Sequence, residues 1–283
     1  MIHDGPLPGS TVAQVRAIAQ AATTLDLVEP LGEQTLLDLT DPHAPVRHLL
    51  AGDPLTGYAA LDLRAHPVAE LVVAPDARRR GTGRALLDAA RDASGSDRTP
   101  LVWAHGNTPA AQALAASAGL TVRRELWRMT APLPASPPSP ALPDDVVVRP
   151  FVVGRDEAAW LEVNARAFAD HPEQGRMTED DLRARQREPW FSPDDLLLAE
   201  RDGRLIGFAW LKIESVGELY VLGVDPDAQG TGLGRALTSL ALSHLVRRGL
   251  DTAVLYTEAA NDAAVHLYTA AGFVPARVDV QYG

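Results

Sequence analysis

The sequence predicts an α/β protein made of two tandem domains, each a mixed sheet with helices packed on it. Three observations carry that prediction. The chain has 283 residues, more than the roughly 100–200 of one typical domain. Residues 131–145, APLPASPPSPALPDD, hold six prolines, which donate no ladder of N–H bonds and favour extended backbone. They read as a linker between domains at 1–130 and 146–283. Finally, residues 75–86 and 226–237 align without a gap, PDARRRGTGRAL against PDAQGTGLGRAL, with eight identities in twelve positions, which marks a duplication.

The elements follow in order. In the first half an apolar run at 70–74 precedes the repeated block, an Ala/Leu-rich amphipathic helix follows it, and Asn107 precedes a second helix that ends at Gly119. The second half opens with a strand at 146–149, a helix at 157–169 and a polar helical stretch at 178–187. Strands at 195–200 and 205–213 are joined by Arg201-Asp202-Gly203-Arg204, whose Asp-Gly pair marks a hairpin turn. Strand 217–224, helix 232–248, strand 252–257, helix 262–271 and strand 273–280 complete it. Hairpins first and crossover helices later indicate a mixed sheet in each half.

A formal net charge of −11 argues against DNA or RNA as the main partner, because a phosphate backbone needs a cationic face. The absence of cysteine rules out a disulfide framework, a thiolate metal cluster and a cysteine nucleophile. Eight scattered histidines show no ligand spacing, so no metal site is expected. The opening MIHDGPLPGS has neither a basic nor an apolar signal region, and no apolar run approaches the roughly 18 residues of a membrane span. The expectation is a cytoplasmic monomer acting on small molecules, with neither nucleic acid nor membrane as partner.

The repeated block carries the chemistry. Glycines between a strand and a helix let main-chain N–H groups approach a ligand closely, and the helix N-terminus adds partial positive charge. A pyrophosphate fits there even on an acidic protein. A Walker A loop would need a lysine that is missing, and the Rossmann fingerprint fails because Leu237 stands where its third glycine belongs. What remains is [Q/R]-x-x-G-x-G, Gln229-Gly230-Thr231-Gly232-Leu233-Gly234, then Arg235, and again Arg78-Arg79-Arg80-Gly81-Thr82-Gly83, then Arg84. This resembles the pyrophosphate loop of the GNAT superfamily, the GCN5-related N-acetyltransferases, and so implies acetyl-CoA as cofactor. A plain tight turn is the alternative.

Longer segments sharpen the likeness. Residues 171–175 (HPEQG), 217–226 (GELYVLGVDP) and 255–268 (LYTEAANDAAVHLY) resemble the mycothiol synthase family of tandem GNAT enzymes. That resemblance implies transfer of acetyl from acetyl-CoA to the cysteinyl amine of desacetylmycothiol, a cysteine–glucosamine–inositol conjugate. It gives Glu218 the role of general base and Tyr268 that of proton donor to the leaving thiolate. Glu218 also fits by position, at the start of the strand leading into the loop, although a solvated strand-edge carboxylate would look the same; Tyr268 would otherwise be a core tyrosine. The likeness further implies that Leu222, Gly223 and Val224 offer backbone N–H groups to the thioester and pantetheine. Asn261, Asp262, Ala263, Ala264, Val265 and His266 would line the pantetheine and adenosine end, with Asn261 doubling as a helix N-cap. Glu33, Glu173, Lys212, Glu218 and Tyr256 would contact the acceptor. Lys212 is the only lysine in a chain that otherwise uses arginine.

The first repeat keeps Leu71, Val72 and Val73 ahead of its loop, but the gapless alignment sets Pro67 against Glu218, and, depending on where one gap falls, Leu114 or Ala115 stands against Tyr268. None of these carries a proton. The N-terminal domain is therefore expected to bind acetyl-CoA or to act as scaffold, without chemistry. Two other readings stay open: a GNAT enzyme for another small amine or a protein N-terminus, and a non-catalytic acyl-CoA-binding protein.

Overall fold

In the second half, strand and helix form where the pattern calls for them. The computed structural model describes residues 1–95, 99–134, 141–169, 171 and 174–283. By its contacts the chain divides into Met1–Leu126 with Arg277–Gly283, and Trp127–Ala276. Residues 135–140 of the expected linker lie outside the described residues.

The first unit runs β1 (Ile2–Asp4), α1 (Gly9–Asp26), α2 (Glu33–Asp38), β2 (Val46–Ala51), β3 (Gly57–Asp62), β4 (Val68–Val73), α3 (Thr82–Ala93), β5 (Leu101–Ala104) and α4 (Pro109–Ser117). β6 (Val122–Pro132) follows, and its residues from Trp127 belong to the second unit. There come β7 (Val147–Pro150), α5 (Glu157–Ala167), α6 (Glu179–Gln186), β8 (Leu196–Arg201), β9 (Arg204–Ile213), β10 (Gly217–Val224), α7 (Leu233–Arg247), β11 (Thr252–Glu258), α8 (Asp262–Ala270) and β12 (Val274–Tyr282). The sheet order is β1-β2-β3-β4-β5 and the end of β12 in the first unit, and the end of β6 then β11-β10-β9-β8-β7 in the second.

The last strand departs from the sequence reading. Residues 273–280 follow α8 and read as the final strand of the second domain, yet Val280, Gln281 and Tyr282 pair antiparallel with Ala104, Trp103 and Val102 of β5. An apolar strand reveals its own period but not which exposed edge it will pair with.

Local chemistry sets the pieces that matter for the site. Asp202 and Gly203 both have positive φ (53° and 74°) between the paired Arg201 and Arg204, as a tight two-residue hairpin requires. β9 is buried along seven consecutive residues, as a strand covered on both faces must be. The Thr178 side chain accepts from Asp181 N–H, and Asp181 accepts from Thr178 N–H at 2.9 Å, a capping box contributing about 1 kcal/mol to the start of α6. Two cores flank the second sheet. Leu219, Leu233, Leu237, Leu255, Tyr268 and Phe273 pack with α7 and α8, while Trp160, Phe208, Trp210 and Val221 pack with α5 and α6.

Candidate active site

Both units open along the same seam. β10 pairs with β11 only at Gly217↔Ala253, Glu218↔Val254 and Leu219↔Leu255, whereas its pairing with β9 continues to Val224↔Gly207. The parallel strands therefore diverge after Leu219. Asp225 N–H donates to Ile206 O of β9 at 2.9 Å. Alternation along a strand then turns the Gly223 N–H the same way and leaves those of Leu222 and Val224 facing the vacated edge. In the first unit β4 and β5 pair only at Val68↔Leu101 and Ala69↔Val102, and Ala74 N–H donates to Thr56 O at 2.9 Å. There the N–H groups of Leu71 and Val73 face the gap.

The glycine loops superpose in conformation. Gly232, capping α7, has φ 86° and ψ −2°; Gly81, capping α3, has φ 86° and ψ −6°. A Cβ at either would meet nothing within 4 Å, so glycine is required by the backbone rather than by space. Gly230 (φ 77°) is matched by Arg79, a non-glycine at φ 62°. The first intrahelical acceptor in α7 serves Ala236 N–H, bonded to Gly232 O, so the helix itself leaves the preceding amides at its N-terminus for a ligand. Gln229 and Arg78 play the same role, since each donates to the last carbonyl of its strand, Val224 O or Val73 O, at 3.3 Å. The [Q/R] of the motif is thus a brace for the loop.

α8 closes the site. A Cβ at Gly234 would lie 3.7 Å from Leu267 and 3.9 Å from Val224, which sets the α8 residue before Tyr268 against loop and strand end. Tyr268 is 8% exposed and meets Phe273 edge-on at 6.0 Å, and its hydroxyl has no hydrogen-bond partner among the described residues. Burial pushes its phenol up to about 12, so it stays protonated at neutral pH. Asn261 accepts Ala264 N–H at 3.0 Å as the N-cap of α8; Asp262, Ala263 and His266 are exposed, and Ala264 and Val265 half-buried.

The opposite face collects the acceptor candidates. Glu218, half-buried, is the register partner of Lys212 in β9, and paired residues share a face. Val254 is paired beside Glu218, so Tyr256, two residues on and 37% exposed, lies on that face too. Lys212 Nζ lies 3.4 Å from Glu214 and 4.9 Å above the Trp190 ring. Glu33 begins α2 in the first unit. Glu173 lies outside the described residues.

Two expectations need correcting. A β-bulge between Leu219 and Val221 adds one residue that β4 lacks, so the equivalent of Glu218 is Val68, not Pro67, by its pairing with β5. The Gly223 N–H faces β9 rather than the vacated edge, and a Cβ there would sit 2.6 Å from the Phe208 ring. Of the two alternatives for the counterpart of Tyr268, helix bounds and the matching contact of Leu114 with Gly83 select Ala115.

Sequence reasoning missed two groups. Arg185, Tyr220 and Trp190 form a row that reaches Lys212, and Glu70, His105 and Asp279 meet in the first unit. No motif marks either group. Tyr220 is two residues from Glu218, but only the bulge decides which way it faces. The first unit also holds a cleft of about 460 Å³ lined by Leu71, Val73, the 78–84 loop, Trp103, His105 and Tyr282. Among the described residues no helix is long and apolar enough to cross a membrane, and no cluster is suited to a metal.

Comparison with known proteins agrees with this geometry. The model of the acetyltransferase (GNAT) family matches residues 160–273, and that of an acetyltransferase (GNAT) domain matches 45–119. A mycothiol acetyltransferase of Cellulomonas flavigena is 54% identical over 99% of this chain and 87% of its own length. That of Sanguibacter keddieii is 50% identical over 99% and 95%. Among solved structures, a GCN5-related N-acetyltransferase from Sphaerobacter thermophilus superposes with TM-score 0.69 at 24% identity, covering 100% of this chain and 94% of that one. A tandem GNAT protein from the clavulanic acid biosynthesis pathway gives TM-score 0.69 at 18% identity, covering 100% and 98%. The chain thus belongs to the GNAT acetyltransferases and, within them, to the mycothiol acetyltransferase family.

Proposed function

We propose that the second unit transfers acetyl from acetyl-CoA to the cysteinyl amine of desacetylmycothiol, completing mycothiol. The observation that carries this reading is the separation of β10 from β11 between a half-buried carboxylate and a buried, unpartnered phenol. The names and near full-length identity of the relatives support the choice of acceptor.

Acetyl-CoA supplies the acetyl thioester and departs as a thiolate. The residues that fit it are the amides of the 229–235 loop for its pyrophosphate, the α8 segment 261–266 along its pantetheine, and the free β10 edge for its carbonyl. Leu222 and Val224 N–H polarise that carbonyl, and one such preorganised donor contributes about 2.7–4 kcal/mol in the transition state. Glu218 takes the amine proton, directly or through a water; an α-amine with a pKa near 7.7–8.0 needs only modest help. Tyr268, kept protonated by burial, gives its proton to the thiolate. Lys212, Tyr256, Glu33 and Glu173 contact the sugar, inositol and cysteine. Leu71, Val72, Val73 and residues 79–84 hold a second acetyl-CoA in the first unit, where no transfer occurs.

Mass spectrometry of the product formed from acetyl-CoA and desacetylmycothiol tests the reading. An N-acetyl product is expected. Efficient acetylation of an aminoglycoside, polyamine or peptide amine with little turnover of desacetylmycothiol would replace it.

A further inference from the structure

Trp190 lies between α6 and β8 and is 8% exposed. Its ring packs against Trp210 (centroids 5.8 Å) and Tyr220 (5.2 Å), with the Lys212 ammonium 4.9 Å over it. The Tyr220 hydroxyl accepts from Arg185 Nε at 2.7 Å, and Arg185, itself 8% exposed, donates to Asp181 O at 3.1 Å. A continuous row of packed groups thus runs from α6 through Tyr220 and Trp190 to Lys212.

Lys212 carries its charge on a flexible four-carbon stem. Among the groups against it, the carboxylate of Glu214, 3.4 Å away, has a side chain 58% exposed. An indole face sheltered from water attracts an ammonium more strongly than any other aromatic ring. At 8% exposure and packed against two other rings, Trp190 offers little surface to a ligand, so its influence on an acceptor passes through Lys212.

We propose that Trp190 is a positioning residue for acceptor recognition, holding the Lys212 ammonium on the face of β9 and β10 that carries Glu218. The proposal rests on reading that face as the acceptor side. An ammonium offers three donors and no acceptor, which suits the hydroxyl oxygens of a polyol. Its charge also disfavours the protonated form of an incoming amine and so favours the neutral nucleophile.

A double-mutant cycle tests it. Trp190→Leu, Lys212→Met and the double variant are compared with wild type by acceptor KM, kcat, acetyl-CoA KM and thermal melting. Removing the ring is expected to raise the acceptor KM about tenfold while Lys212 is present, and by no further factor once Lys212 is Met. Acetyl-CoA KM and kcat should stay within about twofold, and Trp190→Phe should keep some of the wild-type affinity. Should Trp190→Leu fail to fold, the cycle with Trp190→Phe carries the same readout. An additive cycle, an unchanged acceptor KM, or parallel losses in both substrates would overturn the proposal while the function stands. A wild-type chain that acetylates no amine would overturn the functional reading and this proposal together.

Discussion

The two repeats agree along one edge of a strand and differ on its face. Along the edge, the loops have nearly the same dihedrals, the parallel strands separate soon after their pairing begins, and a side chain braces the loop on the last carbonyl. On the face under α5 and α6, the second unit carries a half-buried Glu218 and an aromatic cluster of Trp190, Trp210 and Phe208. In the first unit β4 instead carries Glu70, buried, accepting Gly32 N–H at 2.6 Å and bonded to His105 Nε2 at 3.2 Å. His105 Nδ1 meets Asp279 at 3.3 Å, and Asp279 accepts Gly106 N–H at 2.6 Å. Burial opposes charge on His105, but the two carboxylates outweigh it and push its pKa up to about 10. Burial likewise would raise Glu70, yet the His105 charge and the hydrogen bonds hold it below the usual range. Both ring nitrogens are engaged by carboxylates, so this face is locked rather than poised for proton transfer. The lesson is that a strand edge made of backbone amides tolerates many side chains, while the face beside it is set by particular ones.

Substitutions can break that contrast. Glu218→Gln should lower kcat about 10²–10³-fold and spare acetyl-CoA affinity, whereas Val68→Ala, at the matching place, should leave turnover unchanged; steady-state kinetics decides. Tyr268→Phe should cost about 10²-fold in kcat, with Ala115→Ser silent in the same assay. Gly232→Val forces a branched residue to φ 86° and should weaken acetyl-CoA binding about tenfold or more. Gly81→Val should do the same in the first unit without touching kcat, so calorimetry should count two sites in wild type and one in each variant. A wild-type stoichiometry of one would remove the second site.

The locked face predicts a pH dependence rather than a rate. The stabilisation from His105, whose folded pKa is raised, is full below about 6.5 and lost as pH climbs through about 10. That from Glu70 and Asp279, whose folded values are lowered, is present above about pH 4 and lost on acidification. Protection of the Gly32 and Gly106 amides, taken relative to their intrinsic exchange rates, should be greatest between these limits, and His105→Gln should cost the unit about 3 kcal/mol. Protection independent of pH across this range would count against the network.

Sequence by itself determined the duplication, the mixed α/β class, the order of strands and helices in the second half, and the glycine loops. All of these are local, because a residue's period, a proline's missing N–H and a glycine's freedom at Gly81 and Gly232 act within a few neighbours. Glu218, Lys212, Tyr256 and Tyr268 were named from resemblance. Tertiary structure alone decided that the first three share a face, that Glu218 corresponds to Val68, that Gly223 makes room for Phe208, and that Arg277–Gly283 belong to the first unit. Each depends on register, on one bulged residue, or on contacts between positions far apart in the chain, such as Glu70, His105 and Asp279. A one-residue slip in pairing turns every side chain to the other face, and nothing in the local sequence records which pairing will form.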